Sequence, residues 1–355
     1  MNKEGVKKYK NYLDGLKSST NLDERDVNAW CDLIELLCYT NDDKLIFRED
    51  IERELEKFVD GGIQLAALSE ISVQMGYDID DTHIFSNQGN VDWGSDESAK
   101  NDLLSQITNI WFSHLQLRQK EFGDYYPFQI KNDNSEISCK RFYRLNKKNK
   151  LYLYFLLTSK RNGLEKAQQT RLELDFEPIA FEAFKSLLPL NGEAHLMGKG
   201  SYTSPQFRKN KYNKFKFLSD ILKVKMKVTE NYFSPKDSGE NGIDFIGWLS
   251  FDDELPNNMI FAGQATCMDS WSEKEYDSSI NRGFAPILDA SKIGAYINSL
   301  FIPFHFKVGN NWAYPTKVEA RQYILFDRFR ILNAINIAKI KGNLIPQVIL
   351  RAIAA

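Results

Sequence analysis

The segment GENGIDFIGWLSFDDELPNNMIFAGQATCMDSWSEK, residues 239–274, decides how the second half of the chain is read. IDFIGWL (243–249) is a short apolar β run, and FDDELPNN supplies the turn formers of a hairpin. MIFAGQATC (259–267) is the returning strand, apolar on both faces and therefore expected in the middle of its sheet. Side chains alternate along a strand, which puts Ile260, Ala262, Gln264 and Thr266 on one face. A glutamine on such a face is costly to bury unless its amide finds partners. Asp244 stands at the entrance of the preceding strand, so the hairpin is expected to bring it beside Gln264. A carboxylate next to a neutral oxygen donor suits one hard divalent cation, with water and phosphate oxygens completing the shell.

Upstream lies SPQFRKNKYNKFKFLSDILKVKMKV (204–228), with eight Lys or Arg residues, interleaved aromatics and one acid, Asp220. It reads either as a solvated helix face or as the cations that a nucleic-acid backbone requires, with Arg208, Lys209, Lys211, Lys214 and Lys216 as the candidate contacts. FEPIAFEAFKSLLPL (176–190) has a helical apolar face and carries Glu177 and Glu182, with Pro178 suited to a first turn. The charged stretch 159–175 is expected to form a domain junction.

The first part of the chain is mainly helical in pattern. Trp30, Ile34, Leu37 and Cys38 share one helix face, the polar turn TNDDK ends that helix, and a second amphipathic helix follows. A longer helix is expected over 98–121, with Leu103, Ile107, Ile110, Trp111, His114 and Leu115 on one stripe, where His114 reads as a packed residue. The stretch 78–101 reads as an acidic loop without metal-loop spacing. DYYPFQIKNDNSEISCKRFYRL then suggests two strands around a turn. LYLYFLLTSKR is apolar almost all round and reads as buried, whether helix or strand.

Composition excludes several classes. The chain has 355 residues and a formal net charge of -2, so any attraction to nucleic acid must come from a local patch. Its 43% hydrophobic content suffices for a sizeable core and two domains. The four cysteines and four histidines are scattered, without the spacing of a zinc or haem site, which favours a reducing compartment. MNKEGVKKYKNYLDGLKSS lacks the apolar core of a signal peptide, and no run approaches the roughly 20 apolar residues of a membrane span. The expectation is a cytoplasmic protein with no membrane partner. GKGSYTS (198–204) lacks the phosphate-loop order, GxSxG is absent, and Cys267 reads as a small buried residue rather than a nucleophile.

The 170–340 region resembles the PD-(D/E)XK restriction-endonuclease-like superfamily, in which an acid begins one strand and an acid-x-lysine triplet lies on the next. Asp244 matches the first acid and Gln264 the second position, where some branches carry glutamine. Thr266 stands where the lysine belongs, and Lys274, on what looks like the following helix, is within reach of the same place. The resemblance implies a catalytic set of Asp244, Gln264 and Lys274. It also implies Mg²⁺ (or Mn²⁺) held by Asp244 and Gln264, with Glu240, Glu177 or Glu182 as further ligands. ARQYILFDRFRILNAINIAKIKG fits a closing strand and helix, with Asp327 as N-cap and Arg328 free to serve a phosphate or an ion pair.

The fold class expected is therefore α/β. A mainly helical recognition or regulatory domain (1–165) precedes a restriction-endonuclease-like mixed β-sheet flanked by helices (166–355). The function implied is a metal-dependent DNA endonuclease. A looser similarity of GxDFIGW…GQATC…W…K to bacterial nuclease-like proteins implies the effector of an anti-phage defence system with a partner ATPase or sensor; homo-oligomerisation stays open. The alternatives are an inactive nuclease-fold subunit that holds nucleic acid or a partner protein, and a purely structural interaction protein.

Overall fold

The computed structural model describes residues 27–60, 97–198, 202–234, 239, 241–249, 251, 253, 255, 258–274, 277, 279–308, 311–312, 323–340 and 344–354. In chain order the longer elements are α1 (Val27–Thr40), β1 (Leu45–Phe47), α2 (Arg48–Asp60), α3 (Glu97–Phe122), β2 (Phe128–Ile130), β3 (Glu136–Cys139), α4 (Lys147–Ser159) and α5 (Lys166–Phe184). They continue as β4 (Gly192–Leu196), α6 (Lys211–Leu222), β5 (Phe245–Leu249), β6 (Met259–Ala265) and β7 (Ala295–Phe301). Last come β8 (Lys307–Val308), β9 (Asn311–Trp312), β10 (Ile324–Phe326), α7 (Arg328–Ala334) and α8 (Gln347–Ala354). The chain divides into two units, one of Met1–Gln168, Phe306–Ala313 and Gln347–Ala355, the other of Gln169–His305 and Tyr314–Pro346. Most of the expected 78–101 loop lies outside the described residues, and its end, from Glu97, belongs to α3.

In the first unit, α1 is buried along nearly its whole length, and Trp30 stacks on Trp111 of α3 with centroids 4.6 Å apart. The TNDDK turn ends α1 as expected, but a strand follows before the next helix. Leu45 pairs with Ser138, building the antiparallel order β1-β3-β2. LYLYFLLTS is helical, and from Leu151 to Ser159 every residue is buried, so its lack of a polar face reflects burial all round. Asn146 caps this helix by accepting from the Asn149 N–H.

An ion-pair network lies inside this core. The Arg118 guanidinium, fully buried, donates through Nη1 to Asp32 and Glu35, both at 2.8 Å, and through Nη2 to the Asn28 carbonyl and side-chain oxygens at 2.9 Å. Tyr126 and Tyr152 donate to the two oxygens of Glu35, and Ser159 donates to Asp32. Burial works against the Arg118 charge, and the Glu35 and Asp32 carboxylates outweigh it, holding its pKa well above the ordinary value. His114 is packed beside this group, its Nε2 3.0 Å from Asn28 Oδ1.

The second unit is α/β. Its five-stranded mixed sheet has the order β10-β7-β6-β5-β4, with β6 in the centre as its two apolar faces require. β4, β5 and β6 pair antiparallel, while β6, β7 and β10 run parallel. α5 covers one face with Phe181 and Phe184 against Phe245 and Phe301, and Phe301 stacks on Phe326 at 4.6 Å. α6 covers the other, where Phe215, Leu218 and Leu222 pack with Ile246, Trp248, Ile260 and Ala262. Each such ring or branched side chain, fully buried, contributes about 1.5–3 kcal/mol.

The 159–175 stretch, expected to form the domain junction, contains the division between the two units at Gln168 and Gln169, and from Lys166 it is helix, with Leu172, Phe176, Ile179, Ala180 and Ala183 at helical spacing on the buried side. One expectation about α5 is corrected. Pro178 therefore sits inside the helix and not in its first turn. The hydrogen bond it cannot give would go to the carbonyl of Leu174, a residue on the exposed side of the helix.

Removing one partner of a buried ion pair strands the others, which typically costs about 3–5 kcal/mol. Arg118→Ala is expected to lower the unfolding free energy of the first unit by that amount, measured by urea denaturation followed through tryptophan fluorescence.

Candidate functional site

The β5–β6 register fixes the site. Phe245 lies opposite Gly263 and Ile246 opposite Ala262, so one step earlier Asp244 lies opposite Gln264. Directly opposed residues in an antiparallel pair share a face, and both side chains project on the α6 side with Ile246 and Ala262. The Asp244 carboxylate accepts the Ala265 N–H at 2.8 Å, and its backbone carbonyl accepts the Met197 N–H at 2.7 Å.

Gln264 is only 7% exposed. Its Nε2 donates over a long 3.5 Å to Asp277 Oδ2, and among the described residues nothing donates to its buried Oε1. Lys274 Nζ donates to the same Asp277 oxygen at 3.1 Å, and Arg282 Nη1 lies 2.7 Å from Oδ1. Lys274 ends a single 3₁₀ turn, Trp271–Lys274, where a longer helix was expected. Thr266, in the lysine position of the superfamily pattern, is buried and accepts the Met268 N–H at 3.2 Å.

Asp277 was not legible as a site residue, because DSWSEKEYDSS reads as a helix after β6 from which the superfamily pattern draws only Lys274. It reaches the site through the turn before β5. Asn241 and Gly242 both take positive φ, 61° and 81°, and Asn241 Nδ2 donates to the carbonyls of Arg282 at 3.1 Å and Gly283 at 2.8 Å. A Cβ on Gly242 would lie 2.7 Å from the Asp277 carbonyl oxygen, so only glycine lets this loop close.

The remaining candidates are distributed as follows. Glu177 approaches the same end of the sheet from the α5 face. Its carboxylate lies directly against Gly198, which follows the residue bonded to Asp244, and a Cβ there would collide with it. Glu182, five residues further on, is turned about 140° around the helix and is paired with Lys185 at 2.6 Å. One helix does not present both acids to one ion, and Glu177 lies on the α5 face, whereas Asp244 and Gln264 project on the α6 face. Glu240 lies outside the described residues. Among the described residues no group of three or more His, Cys, Asp or Glu side chains converges to hold a metal ion.

Of the basic candidates, Arg208, Lys209 and Lys216 are exposed and Lys211 is half-buried. Arg208 uses its Nε on the Thr203 carbonyl at 2.9 Å. Lys214 is a correction: it is 2% exposed, with Nζ donating to the Met197 carbonyl at 2.8 Å, so it is a buried brace and no part of a surface patch. Arg328 is likewise buried, its Nε on the Pro303 carbonyl, and Asp327 caps α7 by accepting the Arg330 N–H. On the edge strand, burial against Trp248 and Phe207 holds the His195 pKa below its ordinary value, with Glu193 opposing the shift.

Comparison of the chain with protein-family models, with curated proteins and with solved structures finds no match. No helix among the described residues is long and apolar enough to cross a membrane.

Gly242→Ala forces a side chain into the positive-φ region and against the Asp277 carbonyl. Strain of this kind costs about 1–3 kcal/mol, and a matching fall in the unfolding free energy of the second unit is expected in denaturant titrations.

Proposed function

We propose that the second unit has a restriction-endonuclease-like fold and hydrolyses phosphodiester bonds in DNA with a divalent cation. The observation that carries this reading is the opposition of Asp244 and Gln264 across β5 and β6, with the buried Gln264 Oε1 lacking a donor among the described residues. A buried acceptor left without a partner costs about 1–3 kcal/mol, and a cation would satisfy it.

The donor set fits a hard ion such as Mg²⁺ or Mn²⁺: one carboxylate and one carboxamide oxygen, with room in such shells for water and phosphate oxygens. Asp244 and Gln264 would hold it, and Glu177 is the further acid at that end of the sheet. When bound, the cation supplies a lowered pKa for the attacking water and withdraws charge from the scissile phosphate. Lys274 contributes ammonium donors beyond the one given to Asp277, suited to the charge that builds on phosphorus. Arg208, Lys209, Lys211 and Lys216 would follow the strand backbone. The looser sequence similarity supports a role in anti-phage defence, where a partner ATPase or sensor would govern the activity. The first unit would then serve recognition or control.

The occupancy of two pattern positions by Gln264 and Thr266 favours one alternative, a nuclease-fold subunit that holds nucleic acid without cutting it. Incubation of the protein with supercoiled and linear DNA separates the two. Cleavage is expected with Mg²⁺, and Asp244→Ala is expected to reduce it to the level seen in EDTA. Absence of cleavage by both proteins, with equal DNA affinity, would identify the binding subunit.

Phosphate contacts predict a further result. Lys209→Ala and Lys216→Ala should each reduce the slope of log K against log salt by about 1. Lys214→Ala should leave the slope unchanged and lower the melting temperature instead.

A further inference from the structure

We propose that Asp277 is the positioning residue of this site. Its carboxylate sets which end of the Gln264 amide faces the Asp244 side and holds the Lys274 ammonium beside it. The inference rests on the cation-site reading of Asp244 and Gln264 and assigns the group that makes glutamine usable there.

A carboxamide has two chemically opposite ends, and a strand position alone does not choose between them. An ionised carboxylate only accepts hydrogen bonds. Asp277 Oδ2, 3.5 Å from Gln264 Nε2, therefore admits the NH₂ end and turns Oε1 away as the buried acceptor. An asparagine or a water at the same place would admit either end. The same oxygen takes Lys274 Nζ at 3.1 Å, so the amide and the ammonium are tied to one atom.

Asp277 is itself fixed from two other directions. Arg282 holds Oδ1 at 2.7 Å, and the Asn241–Gly242 turn, two residues before Asp244, is closed against the Asp277 backbone. The side chain is 13% exposed, which keeps the carboxylate partly shielded from water. The loop carrying Asp277 is thus registered on the strand that begins with Asp244, and Asp277 acts through Gln264 and Lys274.

The test uses the full chain and four variants: Asp277→Asn, Asp277→Glu, Gln264→Glu and the Asp277→Asn/Gln264→Glu double. The first readout needs no metal. In protein labelled with ¹⁵N-glutamine, the Gln264 side-chain NH₂ pair is identified by its loss in Gln264→Glu. Asp277→Asn is expected to shift or split that pair, and Asp277→Glu, which keeps an acceptor-only partner, to restore a single pair. The second readout is Mn²⁺ affinity by titration calorimetry. Asp277→Asn is expected to weaken binding by about 10–100-fold, the usual loss when a group orienting a ligand is removed. In the Gln264→Glu background the same change should cause no comparable loss, because the two oxygens of a carboxylate are equivalent and need no orienting.

An unmoved Gln264 pair in Asp277→Asn overturns the proposal whatever the metal result, and so does an equal loss of Mn²⁺ affinity in both backgrounds, which is the mark of a merely structural or long-range charge effect. If Asp277→Asn does not fold, Asp277→Glu decides: a split Gln264 pair there overturns the proposal, and a single pair with near-native Mn²⁺ affinity supports it. Equal Mn²⁺ binding by the unaltered protein and Asp244→Ala sinks the cation-site reading instead, while the amide spectrum still decides the role of Asp277.

Discussion

The antiparallel pairing of β5 with β6 is the constraint from which the rest of the second unit follows. Its register sets Asp244 across from Gln264 and commits Phe245 to the α5 face and Ile246 and Trp248 to the α6 face. A shift of one residue would exchange these faces, driving the carboxylate toward the phenylalanine cluster and tryptophan out of its core. The apolar layers and the polar pair are therefore specified by the same ladder. Packing on two sides holds the polar residues in place without asking them to stabilise the fold.

Much of this was legible in the sequence because it rests on local periodicity. The β5–β6 hairpin, the central position of β6 and the capping role of Asp327 all follow from patterns a few residues long. What escaped depends on contacts between distant residues. The burial of Lys214 is decided by the Met197 carbonyl, and a lysine in a basic run gives no sign of it. The extension of α5 back to Lys166 was hidden by a charged stretch and by Pro178, although the apolar spacing from Leu172 onward carried the signal. β1 is three residues long and exists because β3 offers an edge. Asp277 lies three residues beyond the Trp271–Lys274 turn, and the Gly242 turn closes against its backbone.

The site also differs in charge from what a pair of acids would create. With a carboxamide opposite Asp244, the facing strands carry one negative charge there, and Asp277 is neutralised by Lys274 and Arg282. On the proposed cation-site reading, such a donor set would attract a dication less strongly than two carboxylates do, and substrate phosphate oxygens would be a larger share of the shell. On that reading, cation and nucleic acid would depend on each other for occupancy.

The make-up of the first unit has a temporal consequence. Residues Gln347–Ala355 belong to it, and within it Tyr39 on α1 donates its hydroxyl to the Leu350 carbonyl at 2.7 Å. Tyr39 and Leu350 stand 311 residues apart, whereas the five strands of the sheet in the second unit are drawn from residues 192–326. Contacts closed over such a separation form late, so the joining of α1 to α8 is a late step in the folding of the first unit.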